Sequence, residues 1–451
     1  MEMGAMDRMQ RAAFHKIVLS LPAEKQVMRV LIINTSQKTG GAALAANRLK
    51  DALNNNGVEA RMLVRDKTVD DSTVIELPRT LKTKWSKLWE RWCIFCKLNF
   101  SRRHLFELDI ANVGTDITKL VEFREADLIH LSWINQGMLS IGGIRRILES
   151  GKPVVWTMHD LWPASSICHY AHGCEGFMNR CGNCMLLPGG GHANDLSEVV
   201  WRRKKKALDG NQISFVTCSK WLGEQARQSS LLKGQTVTSI PNPIDTEVFK
   251  PQNKLMARKM LGLPEKNKII LFVSQRVTDK RKGIDYFIKA IGQLVARHPE
   301  MKQNITIAIL GSDAEQLAEQ LALPTHLLGY VSDIRQIINV YNAADVFVLP
   351  SLEDNLPNTI MEAMACGVPC VGFEVGGIPE MIDHRVNGYV ARERDTNDLE
   401  QGMDWVLNEA NYAELSRDAL QKVHRNYSQQ SVAKQYIEVY YQAITKKNKS
   451  K

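Results

Sequence analysis

Short apolar runs alternate with amphipathic stretches through most of the chain. In the first half the apolar runs are Val30–Asn34, Ala60–Val64, Leu128–Leu131, Val154–Met158 and Phe215–Ser219. In the second half they are Ile269–Ser274, Ile305–Leu310, Val346–Pro350 and Pro369–Phe373. Such runs predict strands buried on both faces. Between them Ala42–Asn54, Ile284–Arg297 and Ile334–Tyr341 carry apolar residues at helical spacing. Strand–helix alternation predicts a parallel sheet covered on both faces, and its occurring twice predicts two doubly wound α/β domains.

Pro241-Asn-Pro-Ile-Asp245 places two prolines in three residues, which punctuates the chain and sets the expected boundary. The expected domains are 28–245 and 246–428, followed by a C-terminal helix over 429–445 and a disordered tail over 446–451. That helix carries Tyr436, Tyr440 and Tyr441 and suits packing on either domain. Residues 1–27 read as an extension, with Met28 a candidate natural start.

Composition narrows the class. With 451 residues and 44% hydrophobic content, two or three globular domains are expected. The net charge of +9 favours anionic partners such as nucleotide phosphates, anionic lipids or nucleic acid. No run approaches the roughly 20 apolar residues of a membrane-spanning helix. Met1-Glu-Met-Gly-Ala-Met6 lacks a secretory pattern, so the cytoplasm is expected. There, nine cysteines read as free thiols or metal ligands more readily than as disulfides.

Four segments suit chemistry. The first is Ser351-Leu-Glu-Asp-Asn-Leu-Pro-Asn-Thr-Ile-Met-Glu362, where a strand runs through a loop into a helix opening near Pro357. Ligands in such sheets bind at the carboxyl ends of strands, and a helix start attracts phosphate. The helical part of the Asp354–Glu362 spacing spans roughly 6–9 Å. That suits one carboxylate on a sugar and one on a ribose, with helix capping by Asp354 and a surface Glu362 as the alternative. The second segment, Ser274–Gly283, offers Arg276 and Lys282 as a clamp for a departing diphosphate, with Lys280 and Arg281 in reserve. A solvated basic loop is the alternative. The third is Gly40-Gly41 after the first strand, where backbone can approach a ligand or merely turn. The fourth is His159-Asp160 at a strand end, where the imidazole can bond a substrate or serve the fold.

Together these segments resemble retaining glycosyltransferases of family 4, which have the GT-B fold of two Rossmann-like domains facing a cleft. Asp354-x7-Glu362, followed by Ala363-Met-Ala-Cys-Gly-Val-Pro369, resembles that family's Glu-x7-Glu segment. Arg276 and Lys282-Gly283 match its diphosphate clamp, Gly40-Gly41 its glycine loop and His159 its histidine beside the donor sugar. Pro241–Asp245 is similar to its interdomain motif, with proline in place of glycine, and Leu328-Gly-Tyr330-Val331 to its base-binding loop. The resemblance covers about Met28 to Tyr441.

It implies transfer from a nucleotide-diphosphate sugar to a glycan or lipid-linked acceptor, as in cell-surface polysaccharide synthesis, with no metal needed for catalysis. His159, Arg276, Lys282 and Asp354 would be catalytic. Donor binding would draw on Gly40, Gly41, Arg276, Lys282, Tyr330, Val331, Glu353, Asp354, Asn355, Leu356, Asn358, Thr359 and Glu362. Glu362 would hold ribose and Asp354 the sugar. Aspartate stands where the family has its first glutamate, so Glu353 competes for that role, and Asn355-Leu-Pro replaces the common Gly-Phe-Gly. Rivals are an epimerase or phosphorylase of the same fold, and an inactive nucleotide-sugar sensor or membrane scaffold.

Two features lie outside that site. Cys168-x5-Cys174-x6-Cys181-Gly-Asn-Cys184 has the spacing of a structural zinc site, with His169 and His172 in reserve and unbound thiols or a disulfide as alternatives. A subgroup of the family making bacterial exopolysaccharides has a similar His-Asp-x-Trp and Cys-rich segment. Arg79–Arg103 is basic and aromatic, with Trp85, Leu88, Trp89, Trp92 and Cys96 on one helical face and Lys82, Lys84, Lys87, Arg91 and Lys97 around it. That pattern suits a helix lying on the anionic inner leaflet of a membrane, or a core-facing helix with a solvated basic side. Arg202-Arg-Lys-Lys-Lys206 reads as a solvated helix face, and the basic residues form no recognised nucleic-acid motif.

Overall fold

The computed structural model describes residues 27–78 and 80–449, so nearly all of the extension expected over 1–27 lies outside the described residues. The first sheet is built from β1 (Arg29–Ile33), β2 (Glu59–Val64), β3 (Val74–Glu76), β4 (Leu128–Leu131), β5 (Val154–Met158), β6 (Ser214–Thr217) and β7 (Thr236–Ser239). Its order is β3-β2-β1-β4-β5-β6-β7. The second sheet comprises β8 (Lys268–Arg276), β9 (Ile305–Ser312), β10 (Thr325–Gly329), β11 (Val346–Leu349), β12 (Cys370–Phe373) and β13 (Gly388–Ala391), in the order β10-β9-β8-β11-β12-β13. Every adjacent pair is parallel, for example Ile33 beside Leu131 and Phe347 beside Leu271.

Each order reverses once, between β1 and β4 and between β8 and β11. At such a reversal the neighbouring helices lie on opposite faces and leave a crevice at the carboxyl ends of the strands. The chain therefore has two Rossmann-like domains in the GT-B arrangement. Their strands are buried on both faces because helices cover both; Ile32, Leu63, Ile270 and Val348 are fully enclosed.

The chain passes between the domains twice, at one place. Ile244 N–H donates to Tyr427 O (2.8 Å), and Gln429 N–H donates to Ile244 O (3.2 Å). The helix Gln429–Lys449 then returns to the first domain, where Tyr436 and Tyr440 join the cluster of Val30, Ile32, Val155 and Val216. Their hydroxyls meet Thr157 Oγ1 (3.0 Å) and His130 Nδ1 (2.6 Å). This helix corrects the expected end at 445, because residues 446–449 are helical rather than disordered. Lys446, Lys447 and Lys449 sit in its last turn, where cations suit the negative end of the helix dipole.

Candidate active site

The segments singled out in the sequence come from the loops after β1, β5, β8 and β11, at the carboxyl ends of strands from both domains. After β1, Gly40 has φ +91°, a conformation that glycine adopts without strain, and the helix Gly41–Asn54 begins beside it. The carbonyl of Gly41 accepts from Asn358 Nδ2 (3.0 Å), and Asn242 Nδ2 donates to Asn358 Oδ1 (3.0 Å). Asn358, at the start of the helix Asn358–Ala365, therefore bridges the domains.

After β5, His159 Nε2 lies 3.0 Å from Ser132 Oγ and Nδ1 lies 3.4 Å from Cys218 Sγ. Burial pushes the imidazole down to about 4, so it is neutral at ordinary pH and serves as a hydrogen-bonding group rather than a cation. Its carbonyl accepts from Asn355 Nδ2 (3.1 Å), while Asn355 Oδ1 accepts from Ser219 Oγ (2.5 Å). A small cavity beside His159 is lined by Ser132, Asn242, Pro243 and Tyr436.

After β8, the Lys282 ammonium reaches Asp354 Oδ2 at 2.5 Å, and Ser351 Oγ lies 3.2 Å from the same oxygen. The turn that delivers Lys282 needs glycine next: Gly283 has φ +73°, and a Cβ there would meet Pro350 O at 1.8 Å. Leu352 N–H donates to Arg281 O (2.7 Å), which ties this loop to the one after β11. Arg276 is exposed. Lys282 and Asp354 thus place a cation and a carboxylate side by side at the carboxyl ends of β8 and β11.

Glu353 is engaged elsewhere. Its Oε2 pairs with His172 Nδ1 (3.1 Å), and that hydrogen bond raises the pKa of His172. Beside this pair, the Arg281 guanidinium stacks on Tyr170 at 4.9 Å from the ring centre. Glu353 thus faces His172 of the first domain, while its neighbour Asp354 faces Lys282. Leu356 is buried in the core of the second domain. Thr359 is half-buried on the helix beside Asn358, and Val331 packs against the same core as Leu356. Tyr330, just past β10 at one edge of the second sheet, is 65% exposed.

Glu362 is neither a surface residue nor a helix cap. It is buried, Oε1 takes Arg48 Nη2 at 2.6 Å, and Oε2 takes the Tyr341 hydroxyl at 2.8 Å. Arg48 belongs to the first domain, on the helix that Gly41 opens. Neither Arg48 nor Tyr341 was apparent in the sequence. Arg48 sits at a position that reads as an ordinary polar place on an amphipathic helix. Two further contributions were also hidden. Glu380 caps the helix Lys220–Gln228 across the cleft, taking Lys220 N–H (2.9 Å) and Trp221 N–H (2.8 Å). Gly376 and Gly377 let the chain pass the Asp354 and Asn355 carbonyls, where a Cβ would stand 1.7 Å and 2.0 Å away. A second Gly-Gly pair after a strand was the available signal.

The residues 160–209 revise two expectations. His169, a reserve zinc ligand by sequence, is committed on both sides, with Nδ1 2.8 Å from Asp160 and Nε2 2.7 Å from Asp109. Burial alone would lower it, but these carboxylates hold it up at about 10. The pair fixes Asp160, which also takes Trp133 Nε1 (2.9 Å), and so fixes the loop of His159. Among the described residues no three His, Cys, Asp or Glu side chains come together as a metal-holding group. Cys174 is exposed with its sulfur toward Gly176 N–H (3.4 Å), while Cys168, Cys181 and Cys184 are half-buried free thiols. Burial pushes the thiols of Cys181 and Cys184 up to about 12 and about 11, and each feels the charge of Cys168 and Cys174. Lys204, expected on a solvated face, is instead buried, donating to Trp162 O (2.5 Å) and Ser165 O (3.1 Å).

The helix Leu81–Lys97 turns its aromatic face outward. Trp85, Leu88, Trp89 and Trp92 are 63%, 59%, 54% and 53% exposed, while Ser86, Glu90 and Ile94 face the domain. Lys87 and Lys97 flank the exposed face, but Arg91 is buried, bound to Asp109 and to Leu105 O (2.6 Å). Glu90 Oε1 accepts from Ile110 N–H (3.0 Å) and Ala111 N–H (2.6 Å).

The family model described as Glycosyl transferases group 1 matches residues 267–409. An uncharacterized glycosyltransferase of Methanocaldococcus jannaschii is 33% identical over 366 residues, 75% of this chain and 90% of that protein. A D-inositol 3-phosphate glycosyltransferase of Saccharomonospora viridis is 27% identical over 223 residues, 46% of this chain and 50% of its own length. Among solved structures, sucrose-phosphate synthase from Thermosynechococcus elongatus superposes with a TM-score of 0.65 at 19% identity, covering 93% of this chain and 99% of that one. Anabaena HepE in complex with UDP-glucose superposes with a TM-score of 0.61 at 16% identity, covering 92% and 100%.

Proposed function

The chain belongs to the group 1 glycosyl transferases, and from that premise we propose that it moves a sugar from a nucleotide-diphosphate donor to a glycan or lipid-linked acceptor with retention of anomeric configuration. It is a glycosyltransferase; the donor, acceptor and stereochemistry are the finer reading. The observation that carries that reading is the Lys282–Asp354 pair, 2.5 Å apart at the mouth of the second sheet, with Glu362 on the helix that follows.

In this reading the second domain binds the donor. Lys282 and Arg276 neutralise charge that builds on the diphosphate as the glycosidic bond breaks, an electrostatic role that grows toward the transition state. Asp354 accepts a hydroxyl of the donor sugar, and Glu362 accepts from the ribose. His159, neutral and held by Ser132, contacts the sugar from the first domain. The acceptor enters from the first domain, and its hydroxyl attacks on the face the diphosphate leaves, without a protein nucleophile. A structural neighbour bound to UDP-glucose accords with a nucleotide-sugar donor.

The exposed Trp85, Leu88, Trp89 and Trp92, with Lys87 and Lys97, suit a helix resting on an anionic leaflet where a lipid-linked acceptor would lie. A role in cell-surface polysaccharide synthesis is part of the same proposal and rests on the family resemblance of the site segments. Among the described residues no helix is long and apolar enough to cross a membrane. The test is a thermal-stabilisation screen of nucleotide sugars, followed by transfer to lipid-linked acceptors with the product anomer read by NMR. A stabilising donor and a retained anomer are expected; an inverted product overturns the stereochemical assignment.

A further inference from the structure

Arg48 is buried at 8% exposure, yet it is a cation reaching out of the first domain to a carboxylate of the second. Its Nη2 holds Glu362 Oε1 at 2.6 Å, its guanidinium lies 5.1 Å from the centre of the Phe249 ring, and its Nη1 has no hydrogen-bond partner among the described residues. The other carboxylate oxygen takes the Tyr341 hydroxyl at 2.8 Å. A buried ion pair kept only for stability would have its donors satisfied or be replaced by apolar side chains. Here the two N–H groups of buried Nη1 are left over beside a carboxylate that still has lone pairs to offer, because each oxygen accepts up to two bonds.

A hydroxyl group fits both needs at once. It donates its proton to a carboxylate and accepts from a guanidinium. We propose that Arg48 and Glu362 read the donor's ribose diol as a pair, so that the first domain supplies a nucleotide-binding residue to a site otherwise built on the second. This rests on the donor-site reading above, in which Glu362 meets the ribose. Arg48 acts twice: Nη2 fixes the rotamer of Glu362, and Nη1 donates to a ribose oxygen. Nucleotide affinity is thereby tied to closure of the cleft, because Arg48 and Glu362 lie on different domains.

The test compares wild type, Arg48→Met, Arg48→Lys and Glu362→Gln in the full chain. Calorimetry measures Kd for UDP, GDP and ADP, each beside its 2′-deoxy form, with circular dichroism and the melting temperature as checks on folding. For whichever ribonucleotide binds best, wild type is expected to prefer it over the deoxy form by at least tenfold. Arg48→Met is expected to lose most of that preference, raising Kd for the ribonucleotide toward the deoxy value and leaving the deoxy value nearly unchanged. Arg48→Lys keeps the charge without the planar fork and should fall between, and it carries the test if Arg48→Met does not fold. If both Arg48 variants keep the wild-type preference while Glu362→Gln loses it, the role of Arg48 is overturned and the donor site stands. If Glu362→Gln also keeps it, or wild type binds none of the three, the donor-site reading itself fails.

Discussion

At the residue scale, the adjacent carboxylates Glu353 and Asp354 part company. Asp354 meets Lys282 and Ser351, whereas Glu353 meets His172 of the other domain. Asp354→Asn is therefore expected to lower kcat/KM by about a hundredfold or more, the scale of removing an electrostatic contact that strengthens in the transition state. Glu353→Gln should cost less than about tenfold, because a half-buried pair with a neutral alternative is worth little more than 1 kcal/mol. Steady-state kinetics on the two variants separates these; equal losses would return Glu353 to the site. The sequence revealed the carboxylates and Lys282 because their spacing and loop context are local. It did not reveal Arg48 or Tyr341, whose roles arise only when helices far apart in the chain are brought against Glu362.

His169 carries a pH prediction at the same scale. Its folded pKa of about 10 lies above the usual value of 6.5 for the unfolded chain. Its contribution to stability is thus complete below pH 6.5 and is lost as pH rises through about 10. Across that window the stability gap between wild type and His169→Gln should narrow by about 1.4 kcal/mol per pH unit. Urea unfolding at several pH values measures it, and a gap constant from pH 7 to pH 10 would contradict the ion triad.

At the element scale, the apolar runs located all the central strands. The strands they missed are β3, β7, β10 and β13, which are the two edges of each sheet. At β7 and β10 the apolar pattern is lost because one side lacks a neighbour and the covering helices thin out, whereas β13 (Gly-Tyr-Val-Ala) is mostly buried but only four residues long and opened by glycine. β7 (Thr-Val-Thr-Ser) has no fully buried residue, and β10 carries exposed positions at Leu327 and Gly329. The helix Leu81–Lys97 shows a different limit. Its periodicity fixed which residues share a face, but an aromatic stripe reads the same toward a core or toward solvent, and only the packed domain shows Trp85 and Trp89 outward. Replacing both with serine is expected to reduce flotation with anionic liposomes by about tenfold or more while transfer to a water-soluble acceptor stays within about twofold. Equal flotation of variant and wild type would remove this helix as the membrane contact.

At the scale of the whole molecule, the two domains meet through polar contacts clustered around the proposed site: Arg48 with Glu362, Asn358 with Gly41, Asn355 with Ser219 and His159, and Glu380 with the helix Lys220–Gln228. Such contacts are weak singly and can be exchanged for contacts to a ligand, which suits a cleft that opens and closes. Glu380→Ala removes a carboxylate from a helix start, an interaction of about 1 kcal/mol. It is expected to raise the donor KM several-fold and to increase the radius of gyration in solution scattering, with little change in melting temperature.

In the proposed donor site the loops after β8 and β11 hold the diphosphate, ribose and sugar. The most direct measurement is turnover of the stabilising nucleotide sugar by Lys282→Ala and by Glu362→Ala, each verified as folded by circular dichroism. Near-abolition of transfer in both is the predicted result; near-normal turnover in both would contradict the account.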